Sequence, residues 1–260
     1  MLHFVDVILK PFISESGYRR VCEIGASSGT DTLKLSALPS IEIAVIDPCL
    51  DTDLSLKYQN HQAITLYKGL SLDVLPTIPG QFDCILIDGD HNWYTVYNEL
   101  KIIEERALIA EGGTIFFHDV CWPYGRRDMY YQPATIPKEF MHPYDTKGIV
   151  YGQSELSSSS KDNAGYNNAV FEGGSRNGVL TAIEDFLKES RDQYMFFYLR
   201  EEFGLGVLHK AHSESNTNPA FRRLMLKSKY TNLLYDTRHL AKTTLPGLYS
   251  VLKKLKHKFK

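Results

Sequence analysis

The chain has 260 residues, 43% apolar and 23% charged. That is enough for one large domain or two small ones and unlike disordered, collagen-like or disulfide-stapled chains. The net charge of −2 conceals a split: Phe221 to Lys260 carries eleven Lys/Arg and one acid, Asp236, leaving 18 basic and 30 acidic groups before it.

In chain order, MLHFVDVILKPF is apolar but carries Asp6 and Lys10 and meets Pro11, without the basic start of a signal peptide. RRVCEIG (19–25) reads as a strand and TDTLKLSAL as a helix. IEIAVID (41–47) is a second strand, followed by a polar helical stretch to Asn60, and AITLYKG (63–69) a third. FDCILID (82–88) is a fourth, followed by a helix from Tyr94 to Ile109, and GGTIFFHD (112–119) a fifth. These strands are nearly continuous apolar runs, as when helices cover both faces of a sheet. Such alternation predicts an α/β, doubly wound, mostly parallel sheet. Residues 122–178 break the pattern with Pro, Gly, Ser and Tyr and predict an insertion over the sheet's functional edge. A helix at 178–190 resumes it, and MFFYL (195–199) with GLGVLHK (204–210) predicts a closing hairpin, for seven strands in all. Residues 211–260 read as a basic, amphipathic helical tail after a domain spanning 1–210. Cys22, Cys49, Cys84 and Cys121 lack metal-ligand spacing and read as reduced thiols of a cytosolic protein. No apolar run reaches the length of a membrane span.

Four motifs can carry chemistry. VCEIGASSGTDT (21–32) ends a strand, turns on Gly25 and opens a helix at Gly29. It is not the dinucleotide GxGxxG, because Ser27 and Thr30 stand where that motif needs glycine. Glu23 beside the turn would repel a pyrophosphate and suits a sulfonium and an amino group. Asp47, at the end of the second strand, can accept the hydroxyls of a ribose or merely cap a helix. Asp88, Asp90 and His91 crowd the end of the fourth strand, and His118 and Asp119 that of the fifth. Each alone reads as a cap or a satisfied loop residue. Together on one rim, carboxylates can hold a hard cation and a neutral His can take a proton.

These residues resemble the class I S-adenosylmethionine-dependent methyltransferases, through ExGxxxG at 23–29, Asp47 and the IDGDH/FFHD pair. Within that class the sequence is most similar to the metal-dependent sugar O-methyltransferases, relatives of the macrolide-sugar methylating enzymes. The resemblance covers residues 18–121, and 178–210 in outline. It implies a Rossmann-like methyltransferase fold and S-adenosylmethionine as cofactor. Glu23, Gly25, Ala26, Ser27 and Gly29 would cradle its methionine part, Asp47 its ribose, and Gly69, Ser71 and Leu72 its adenine, with Asp88 at the reactive end. Asp88 and Asp119 would coordinate magnesium, with His118 beside them, and His91 would be the general base. The chain departs from those relatives at His118, where they carry an acid. An imidazole is a softer ligand, which leaves the metal's identity, and its use, open.

The acceptor side is read from WPYGRRDMYYQPATIP (122–137). Trp122, Tyr124, Tyr130 and Tyr131 offer faces for a sugar ring, and Arg126 and Arg127 offer forks for phosphate or carboxylate. The same aromatics could equally dock the loop onto the core. The expected partner is a sugar or glycoconjugate. No nucleic-acid motif is present. The tail reads as a solvated face or as a contact for an anionic membrane surface. Self-association is left open. A methyltransferase acting without metal on another small molecule, and a non-catalytic cofactor-binding module, are the competing readings.

Overall fold

The computed structural model describes residues 1–211 and 218–244. Helical segments α1 (Leu2–Phe4) and α2 (Lys10–Ser16) flank a π-helical turn at Val5–Leu9. Then come β1 (Arg20–Ile24), α3 (Thr30–Leu35), β2 (Glu42–Ile46), α4 (Thr52–Gln59), β3 (Ile64–Tyr67) and α5 (Ser71–Val74). Strands β4 (Phe82–Ile87) and β5 (Ile109–His118) enclose α6 (Trp93–Glu105). From β1 onward these elements follow the sequence reading closely, except around the end of α6 and at α5. The helical segments before β1, and α5 itself, stand where no helix was read. Helix α6 stops at Glu105, not Ile109, because Ala107 turns into the left-handed region at φ 51°. The strand after it accordingly starts three residues early, passing through Gly112 at φ 73°.

The main sheet has seven strands in the order β3-β2-β1-β4-β5-β10-β9, with β9 (Tyr194–Leu199) and β10 (Leu205–Lys210) forming the antiparallel hairpin. Strands β1 to β5 are parallel, and the order reverses between β1 and β4. That reversal is the point where an open sheet of this kind has its ligand crevice. Successive side chains of each strand enter opposite cores, which explains the near-continuous apolar runs. Val21, Leu86 and Phe116 pack with Phe4, Leu9 and Phe12 on one face. Cys22, Ile87 and Phe117 pack with Leu100 and Ile103 of α6 and with Ile183 and Phe186 of α7 (Val179–Glu189) on the other. Buried Cys22 and Cys84 act as small hydrophobes within these layers, and all four cysteines are free.

The region 122–178 is more ordered than its composition implied. It carries a second sheet, β6-β8-β7, from β6 (Met129–Tyr130), β7 (Tyr144–Asp145) and β8 (Asn167–Ala169). Strands of two or three residues are too short to display a period of two, so no pattern announced them. The tail begins with α8 (Pro219–Thr244), whose Phe221 packs on Phe197 of β9 at 5.2 Å and stacks on His209 of β10 at 4.4 Å. Beyond that anchor Leu226, Tyr230 and Leu233 are exposed. The Lys-rich stretch at 245–260, on which a membrane contact was expected, lies outside the described residues. No described helix is long and apolar enough to cross a membrane.

Candidate active site

The glycine turn sits where the order of the sheet reverses. Gly25 adopts φ 85°, and a Cβ there would collide with the carbonyl of Asp88. Only glycine lets this turn lie against the end of β4. Gly29, at φ 71°, leads into α3, and a Cβ on it would come within 2.5 Å of the Tyr58 hydroxyl. Both glycines of the motif are thus demanded by the backbone. Glu23, 4% exposed, accepts from the Thr32 hydroxyl at 2.5 Å, and Tyr58 donates to the same hydroxyl at 2.7 Å. Burial raises its carboxyl to about 8 against the opposing Thr32 bond. A cationic ligand nearby would draw that proton off.

Asp47 has a structural duty that the sequence did not disclose. One oxygen accepts from the amides of Ala26 (2.8 Å) and Ser27 (3.1 Å), the other from Cys49 (2.8 Å). The carboxylate therefore ties the glycine turn to β2. A carboxylate has about four acceptor positions, so capacity remains for a ribose hydroxyl. Asp47→Ala is expected to weaken S-adenosylhomocysteine binding by roughly 1.5–3 kcal/mol, the worth of a charged hydrogen bond. Calorimetry checks this; an unchanged dissociation constant would deny Asp47 both duties.

A cavity of about 400 Å³ runs from this turn to the ends of β4 and β5. Its lining joins Glu23, Gly25, Ala26 and Ser27 of the turn to Asp88, His91, His118 and Asp119, with the Asp88 carbonyl lying against Gly25. Around that second group, Tyr124, Tyr131, Tyr166 and Phe203 form aromatic walls. Asp47 and Gly29 support the turn from behind the lining. Gly69, Ser71 and Leu72 lie past β2, at the end of β3 and the start of α5, also off the lining.

At the rim, four of the five expected polar residues converge. His91 Nε2 is 3.0 Å from Asp119 Oδ2 and 3.8 Å from Asp88 Oδ1. His118 Nδ1 is 2.8 Å from Asp119 Oδ2 and 3.2 Å from Asp88 Oδ1. Asp119 reaches this position by taking φ 58°. The Met1 amino group meets Asp88 Oδ2 at 2.5 Å. Burial works against the charge on each histidine, yet the carboxylates prevail and raise His91 to about 10 and His118 to about 9. Burial likewise opposes ionisation of Asp88 and Asp119, and the histidines hold both well below the usual carboxylate range. The fifth residue, Asp90, turns aside to accept from the Thr95 hydroxyl at 3.0 Å.

Asp88, His118 and Asp119 are the one group among the described residues able to hold a metal ion, with donor atoms all within 4.8 Å of one another. An octahedral ion bound at about 2.1 Å sets neighbouring donors about 3 Å apart, and the His118 spacings match that. Two carboxylates accept magnesium; the imidazole widens the choice toward manganese, iron, cobalt or zinc.

The acceptor loop divides. Tyr124 reaches the cavity, stacking on His91 at 5.4 Å and 9°, with its hydroxyl donating to Asn168. Trp122 packs edge-on against Tyr151 outside the lining. Arg126 forks onto Glu184 of α7 at 2.6 and 2.7 Å. Arg127, fully buried, donates to the carbonyls of Ala169 and Ser154. Tyr130, also buried, donates to Asp128. These last three anchor the insertion, as the docking alternative for this loop describes. Tyr131, from the same aromatic loop, also borders the cavity, as do Tyr166, Phe203 and Met1, which the sequence reading did not single out.

Residues 22–120 match the family model for a methyltransferase domain. The O-methyltransferase hkm8 of Aspergillus hancockii is 30% identical over 112 residues, 40% of this chain and 44% of that protein, so the match spans less than half the relative's length. Among solved structures, a Staphylococcus aureus protein described as a caffeoyl-CoA O-methyltransferase superposes with a TM-score of 0.50 at 13% identity, over 80% of this chain and 83% of that one. The SAH-bound methyltransferase PaMTH1 of Podospora anserina gives 0.47 at 17% identity, over 76% and 75%. The sheet order and the glycine turn agree with the methyltransferase-domain model matched over residues 22–120.

Proposed function

We propose that the chain transfers the methyl group of S-adenosylmethionine to a hydroxyl of a sugar or glycoconjugate, with a divalent ion at Asp88, His118 and Asp119. The observation that carries this is a single cavity joining the glycine turn to the Asp88–His91–His118–Asp119 cluster. The aromatic walls suit the faces of a sugar ring. The transfer is an in-line displacement: the oxygen–methyl bond forms as the sulfur–methyl bond breaks, and the sulfur keeps the electron pair. Holding donor and acceptor in line supplies several kcal/mol of the acceleration. A bound ion would lower the pKa of a coordinated hydroxyl. His91, 3.0 Å from Asp119 and lining the same cavity, would be the group that takes the hydroxyl's proton. When the charge of the two carboxylates is balanced, what raises the His91 pKa is removed, and the neutral imidazole can accept that proton.

The same walls would accept a planar phenol, which supports transfer to another small molecule as the second reading. Calorimetry with S-adenosylhomocysteine and NAD, followed by methyl transfer to vicinal-diol and phenolic acceptors with and without EDTA, separates these readings. The expected result is S-adenosylhomocysteine binding without NAD binding, and EDTA-sensitive transfer to the diol. NAD binding without S-adenosylhomocysteine binding would overturn the cofactor assignment. Transfer confined to phenols, or indifferent to EDTA, would favour the second reading.

A further inference from the structure

Two residues after His91 the chain enters α6, and a carboxylate from the insertion holds that entry. Asp128 is fully buried. Its Oδ1 accepts from the backbone amides of Trp93 (2.7 Å) and Gly178 (2.6 Å), and its Oδ2 from the Tyr130 hydroxyl (2.9 Å). Trp93 is the first residue of α6, and Gly178 caps α7. One oxygen thus satisfies a free amide at each of two helix N-termini, where negative charge is favoured. The next residue adds another tie: the Met129 amide donates to the His91 carbonyl at 2.9 Å. Asp128 is itself fixed, its amide donating to Asn177 Oδ1 at 2.7 Å. Consecutive residues of the insertion therefore grip the backbone on both sides of Asn92, which separates His91 from α6. Asn92 supplies α6 with its own cap by accepting from the Thr95 amide at 2.9 Å. The bond from Trp93 to Asp128 is thus not needed to start the helix; it fixes where the helix starts.

We infer that Asp128 is the positioning residue for His91: it clamps the start of α6 to the insertion and so sets the imidazole against Asp119 and Tyr124, touching neither cofactor nor acceptor. This rests on His91 being the base of the proposed transfer. A misplacement of about 1 Å can cost a reaction of this kind about 10²-fold, whereas the cofactor cradle at Gly25–Gly29 stands on β1 and does not depend on the clamp.

The test compares Asp128→Ala, Asp128→Asn and Tyr130→Phe in the full chain. The alanine variant should lose about 50-fold in kcat, with acceptor KM and the S-adenosylhomocysteine dissociation constant within about threefold of wild type. Asparagine keeps an acceptor oxygen but not its charge, so a loss of about fivefold is expected. Tyr130→Phe, which spares both helix amides, should stay within about twofold. Amide exchange at Trp93 and Gly178 should quicken in the alanine variant, while that of β1 stays unchanged. An alanine variant with normal kcat, or one losing cofactor affinity in step with kcat, overturns the inference. If alanine does not fold, asparagine decides: reduced kcat at unchanged KM supports the clamp, and normal kcat sinks it. If the wild type methylates no acceptor, the activity reading has failed, and amide exchange still decides: unchanged exchange in the alanine variant removes the clamp itself.

Discussion

Asp119→Asn and His91→Ala are expected to fail in different ways. Asp119→Asn, like Asp88→Asn, should lose the metal-dependent rate while still binding S-adenosylhomocysteine, because each change keeps the size of the side chain and leaves the glycine turn with its ties to Asp47 in place. His91→Ala keeps the three donor atoms of the ion site. It should therefore keep metal and cofactor and lose only the proton acceptor, a cost of about 10²- to 10⁴-fold in turnover. That defect should shrink as pH rises, since an acceptor hydroxyl that ionises unaided has no need of a base. In the metal-free protein His91 carries its proton up to about 10 because Asp119 and Asp88 outweigh the burial that opposes the charge. The carboxylates that would bind the ion are thus the same groups that keep the base protonated without it. Rates of wild type and variants across pH, with and without EDTA, check this. Full activity in EDTA removes the ion from the mechanism. Near-normal turnover in His91→Ala moves the base to His118, the other imidazole of the cluster.

What the sequence disclosed followed from how each element is buried. Strands β1 and β4 are covered on both faces, so their apolar runs were continuous and their ends easy to place. The rim residues were legible because each strand end falls at a fixed place relative to the order reversal of the sheet. The roles of Arg126, Arg127 and Tyr130 were not, because their partners lie far along the chain. Glu184 is 58 residues from Arg126, and the Ala169 carbonyl is 42 from Arg127. A surface fork and a buried anchor look the same in sequence when the partner is unknown. Nothing in MLHFVDV suggested that Met1 borders the cavity, since that depends on where a helical segment docks. Asp47 was found by position, while its hold on the Ala26 and Ser27 amides depends on a turn geometry that spacing alone does not set.

Substituting Glu99 should change how stability depends on pH. Glu99 sits mid-way along α6, fully buried, and neither carboxyl oxygen has a hydrogen-bond partner. Burial raises its carboxyl to about 8; nearby Ser71, not bonded in this geometry, offsets this only in part, and the charge of Asp90 adds to it. The ordinary value is 4.5. Between 4.5 and about 8 the folded protein therefore binds a proton that the unfolded chain has released. Stability falls with pH wherever the folded state holds more protons, so the protein should lose stability across this interval as pH rises. Glu23, raised to about 8 for the same reason, contributes in the same direction. Glu99→Gln removes the contribution of Glu99 alone. Near pH 5 it replaces a neutral acid with a neutral amide and should change little. Near pH 8.5 it spares the fold a buried charge and should raise the melting temperature by several degrees, since about 1 kcal/mol corresponds to roughly 2–4 °C in a domain of this size. Thermal unfolding of both proteins from pH 5 to 9 decides the matter. Curves that run parallel would mean that Glu99 finds a partner in solution, a water or a neighbouring amide, and that its burial carries no proton with it.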